Sequence, residues 1–147
     1  MVISTIFLST LAATSLMTAF SYLMPVSFRE LYNEPLLLQY LITRFHLGLT
    51  GRWKVIAAWT LHYLIGLIFV VAYYLLWRLN LYQITWLSGL IYGVIIGLIG
   101  IGGWAVMFGI SGDKPRIDYK GYYLQLFFAH LVFGMTIFVI FQMLLLK

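Results

Sequence analysis

Apolar positions fall in four long blocks separated by three polar interruptions. Residues 2–24, 55–77, 84–108 and 122–146 are almost wholly hydrophobic, and each is as long as the roughly 20 residues that cross a bilayer as a helix. The longest interruption, 25–54, contains a fifth element. Asn33-Glu34-Pro35 is a helix start, with a capping side chain and a proline in the first turn. Leu38, Leu41, Ile42 and Phe45 then recur at i, i+3, i+4 and i+7, with Gln39, Thr43 and Arg44 off that line. A short interfacial helix on the membrane surface is expected there, with a re-entrant segment as the alternative. The fold class predicted is all-α: one polytopic domain over 1–147, with four transmembrane helices and one interfacial helix.

The third block is the most unusual. Residues 88–103 hold Gly89, Gly93, Gly97, Gly100, Gly102 and Gly103, and no charged residue lies between Arg78 and Asp113. In water each of these glycines would cost a helix up to about 1 kcal/mol relative to alanine. In lipid a helix is still required, because the backbone has no water to bond to. Gly89, Gly93 and Gly97 repeat every four residues and form a smooth groove, a glycine zipper, into which a neighbour's backbone can press. This predicts that the third span is the central helix, closely packed on the first.

The first span carries Thr10, Thr14 and Thr18 in one line, continued by Ser21. Such hydroxyls bond back to their own helix or across to a neighbour; the alternative is a polar path for a solute. The second and fourth spans each place a histidine in H-x-x-x-G, as His62/Gly66 and His130/Gly134. Leu8-Ser9-Thr10 and Leu87-Ser88-Gly89 echo one another in the same way, which suggests two copies of one helical hairpin related by an axis along the membrane normal. Both histidines would then lie at similar depth.

Composition fits this reading and narrows the chemistry. With 63% hydrophobic and 9% charged residues, the chain has the composition of a membrane protein. It has no cysteine, so disulfides and thiolate sites are excluded. The net charge of +5 resides beside the spans, where topology and anionic lipid account for it without nucleic acid. Arg29, Arg44, Arg52, Lys54, Lys114, Arg116 and Lys120 fall in the first and third loops, against Arg78 and Lys147 on the other side. The positive-inside rule therefore predicts both termini outside the cytoplasm. A removable signal peptide is not expected, since no basic residue precedes the first apolar run.

Intramembrane histidines are candidates for function. His62 and His130 could ligate a b-type haem, or titrate in a channel or transporter beside Thr10, Thr14 and Thr18. Glu30, Glu34, Asp113 and Asp118 all read as loop residues, so no buried acid is expected to complete a relay. Neither a metal-ligand cluster nor a catalytic constellation can be assembled, and no enzymatic activity is expected. Gln125 and Gln142 lie near the ends of the last span, within reach of water or headgroups.

At Thr14-Ser15-Leu16-Met17-Thr18, Phe28-Arg29-Glu30, Asn33-Glu34-Pro35-Leu36-Leu37 and the two H-x-x-x-G helices, the chain resembles the YagU-like four-helix proteins of the bacterial inner membrane. It departs from them in its extended first loop. The resemblance implies an inner-membrane four-helix protein and brings no cofactor or catalytic residue. The expectation is a protein that acts by helix packing, as a homo-oligomer or an accessory subunit of a membrane complex, through Gly66, Gly89, Gly93, Gly97, Gly100 and Gly134.

Overall fold

The structure, a computed structural model, describes residues 2–24, 33–112 and 115–145. Arg29, Glu30, Asp113, Lys114 and Lys147 lie outside the described residues. Five helices follow in order: α1 (Val2–Leu23), α2 (Glu34–Arg44), α3 (Gly51–Arg78), α4 (Trp86–Ile110) and α5 (Tyr119–Leu145). All but α2 are long and apolar enough to span a membrane.

Local chemistry sets the ends of these helices. Asn33 caps α2, accepting from the Leu36 N–H at 3.0 Å, with Pro35 in the first turn. Thr85 and Ser88 form a reciprocal capping box at the start of α4, which satisfies donors that would otherwise be left bare. After α3, Asn80 takes φ 56°, a left-handed conformation that asparagine tolerates better than most residues, and the chain turns back into α4.

The central helix is α5, not the glycine-rich α4. It packs along α4 on one side and α1 on the other, burying one broad face that runs its whole length, with Leu126, Phe133, Ile137 and Phe141 on it. The glycine groove of α4 is filled by α5 instead of α1. A Cβ built on Gly93 would stand 2.9 Å from the His130 carbonyl oxygen, and one on Gly134 would stand 2.5 Å from that of Gly89. The two backbones therefore touch, as small residues permit. Gly97 faces Phe127 and the His130 Cβ, and Gly100 faces the His130 ring. By contrast, Gly102, Gly103 and Gly109 have nothing within 4 Å of where a Cβ would sit.

The two hairpins, α1 with α3 and α4 with α5, share a register. Gly66 meets Thr14 as Gly134 meets Gly93, and His62 meets Thr18 where His130 meets Gly97. Thr14 and Thr18 stand in the same spacing from Ser9 as Gly93 and Gly97 do from Ser88. The likeness stops between the hairpins. α1 and α5 pack closely, but α3 and α4 stay apart over most of their lengths.

α2 fills part of the resulting gap. Leu37, Leu38, Leu41 and Ile42 are buried in one cluster with Ala58, Trp104, Phe108, Tyr122 and Leu126. Its apolar face meets α3, α4 and α5, while Thr43, Arg44 and Phe45 emerge exposed. Thus α2 enters the bundle by its N-terminal end.

Candidate functional site

Between α3 and α4, under the N-terminus of α2, lies a cavity of about 210 Å³ lined by residues of all five helices. Three ionisable side chains reach it: Glu34 of α2, His62 of α3 and His130 of α5. The two histidines, expected at similar depth, both line this one space. No three His, Cys, Asp or Glu side chains form a metal-ligand group among the described residues.

Glu34 is the residue that sequence reasoning misplaced. It is not a solvated loop acid: it is 3% exposed. Ser21 of α1 donates to its Oε1 at 3.0 Å, while Oε2 is buried with no hydrogen-bond partner among the described residues. Burial holds the carboxyl well above the usual range, at about 7, against the lowering effect of its own backbone N–H and of Ser21. A carboxylate in such surroundings is disfavoured by burial, so the group holds its proton to higher pH than an exposed acid does.

The histidines are held by complementary bonds. Thr18 Oγ1 lies 2.7 Å from the Thr14 carbonyl and 2.8 Å from His62 Nε2. A hydroxyl has one proton, and the carbonyl can only accept, so Thr18 donates to Thr14 and His62 donates to Thr18 through Nε2. His130 Nδ1 lies 2.8 Å from the Leu126 carbonyl and must donate there. The rings are therefore opposite tautomers, and each neutral imidazole keeps one accepting nitrogen without a hydrogen-bond partner among the described residues: Nδ1 of His62 and Nε2 of His130. Phe69 sets its edge against His130, with ring centres 6.2 Å apart.

The remaining walls are apolar or aromatic, including Met17, Leu38, Phe133, Trp104 and Met107, and no Lys or Arg lines the space among the described residues. At its margin Ile65, Ile99 and Gly103 are exposed. On helices that cross a bilayer, that margin faces lipid.

The threonine line does not reach the cavity as a path. Thr10 donates to the Ile6 carbonyl at 2.9 Å, and Thr14 packs on Gly66. Only Thr18 takes part, through His62. Gln125 is also placed differently from expectation: it is 5% exposed, and both amide atoms are buried without a partner among the described residues. His46 follows the end of α2 in a left-handed conformation, exposed. Asp118 is exposed and accepts from the Lys120 N–H at 3.1 Å.

The all-helical architecture, with four helices long and apolar enough to span, defines a multi-pass integral membrane protein. No family model, curated protein or solved structure matches the chain.

Proposed function

We propose that this is a non-enzymatic membrane protein of the carrier class, which holds a small, partly apolar solute in the cavity between α3 and α4. The observation that carries this reading is the convergence of Glu34, His62 and His130 on one space. Ionisable groups inside membrane proteins are costly and mark solute or proton routes. Site and mouth are both made by the gap between the two hairpins. A b-type haem has less support: ligation would break the Thr18 bond at His62 Nε2. The cavity of about 210 Å³ is also smaller than the roughly 300–1,000 Å³ of pockets that enclose drug-sized ligands.

The test uses Trp104, which lines the cavity. In a variant retaining it as the sole tryptophan, the small brominated alcohol tribromoethanol should quench its fluorescence saturably. Gly103→Phe, at the mouth, should abolish the saturable part. Linear quenching, equal in both proteins, would remove the reading.

A second reading, assembly with itself or with other membrane subunits, is favoured by one observation. Gly102, Ala105 and Gly109 are exposed along one face of α4, and both glycines have open space where a Cβ would lie. If that face joins protomers, Gly102→Ile should lower the mass of the particle extracted from membranes. The basic loops further support an orientation with both termini outside the cytoplasm, and the resemblance to YagU-like proteins implies the bacterial inner membrane.

A further inference from the structure

The three ionisable side chains that line the cavity, Glu34, His62 and His130, all carry hydrogen-bond acceptors. Glu34 Oε2 has no partner among the described residues. The tautomers derived above leave His62 Nδ1 and His130 Nε2 likewise without a partner among the described residues. Phe69, Phe133 and Trp104 add aromatic surfaces, which attract cations, and among the described residues no Lys or Arg lines the cavity. Beyond them the exposed margin of Ile65 and Ile99 leads outward. One kind of molecule fits such a place: a cationic head with N–H donors and an apolar tail that remains in lipid.

We propose that the site binds a primary alkylammonium ion, whose head pairs with the Glu34 carboxylate and donates to the two histidines, with its tail leaving between α3 and α4. This rests on the reading of the cavity as a solute site. Binding displaces one proton: the Glu34 O–H bond breaks, the proton passes to bulk water, and the carboxylate so formed pairs with the ammonium. No other reactant is needed. The raised Glu34, at about 7, makes this exchange accessible near neutrality. The other titratable groups facing it are His62 on α3 and His130 and Tyr122 on α5. α1 contributes Ser21, and the α4 wall contributes Trp104, Met107 and apolar residues.

The experiment is equilibrium binding of octylammonium, octyltrimethylammonium and octanol to the full chain in phosphatidylcholine nanodiscs between pH 5 and 8. Octylammonium should bind saturably and at least tenfold more tightly than octanol. Octyltrimethylammonium, which lacks N–H donors, should fall between them. Proton competition at a group near 7 weakens octylammonium binding about 100-fold between pH 8 and pH 5. Glu34→Gln should remove both the preference over octanol and most of this pH dependence. The pH series needs no variant, and Gly103→Phe, where a Cβ meets nothing, should block all three probes. Octanol binding as tightly as octylammonium, without pH dependence, would overturn the cation while keeping the cavity as a solute site. Acid weakening retained in full by Glu34→Gln would overturn the role of Glu34. Failure of every probe to saturate would overturn both readings.

Discussion

Replacing Glu34 by glutamine tests the burial of this acid directly, without any ligand. The carboxyl rises from an ordinary 4.5 to about 7 in the folded protein, and each tenfold change in proton affinity corresponds to about 1.4 kcal/mol. Folding is therefore opposed by about 3 kcal/mol once the unfolded chain has ionised. The sign follows from which state ionises first. Below about pH 4.5 both states hold the proton and the acid imposes no penalty. From there to about pH 7 the unfolded state ionises while the folded state does not, so stability falls as pH rises. Above that it is level. Glu34→Gln keeps a neutral group beside Ser21 and cannot ionise. It should match the wild type near pH 4.5 and exceed it by about 3 kcal/mol at pH 8. Unfolding by sodium dodecyl sulfate in mixed micelles, followed by circular dichroism across this range, gives both curves. His62, His130 and Tyr122 are present in both proteins, so the difference curve isolates Glu34. Parallel curves, or a wild type that gains on the variant as pH rises, would refute the reasoning.

Other substitutions probe the packing and the orientation. Gly134→Ala should lose about 1–3 kcal/mol by the same unfolding assay, because its Cβ would stand 2.5 Å from the Gly89 carbonyl oxygen and 2.8 Å from the Gly93 Cα. Gly102→Ala, with open space around it, should be neutral or gain up to about 1 kcal/mol. Thr18→Val removes the acceptor of His62 and should cost roughly 0.6–2 kcal/mol, the scale of interhelical hydrogen bonds in membranes. Because the chain has no cysteine, single-cysteine variants report sidedness cleanly. A membrane-impermeant maleimide should label Leu81→Cys in spheroplasts, and Arg116→Cys only after lysis.

Four spans and the Asn33 cap were legible in the sequence, because length and capping chemistry act locally. The glycine repeat showed a groove on α4 but could not say which helix would enter it. α1 and α5 both offer small residues, and only the Gly134 contact with Gly89 and Gly93 distinguishes them. Glu34 escaped for a different reason. A short amphipathic helix presents the same pattern to a membrane surface as to a protein interior, since both are apolar. One signal was available: Pro35-Leu36-Leu37-Leu38 has no polar side, and a turn that is hydrophobic all round belongs inside. Gln125 followed a similar course, because proximity to a helix end says little when α2 covers that end.

The way α3 is attached has a mechanical consequence. α4 and α5 meet backbone to backbone along their glycines, whereas α3 is tied to α4 by tyrosines: Tyr92 donates to the Phe69 carbonyl at 2.6 Å, and Tyr73 pairs with Ser88 at 3.3 Å. These ties all lie toward the turn that joins the two helices. At the opposite end the two helices are joined instead through α2, a wedge whose leucines reach Ala58 on one side and Trp104 and Phe108 on the other.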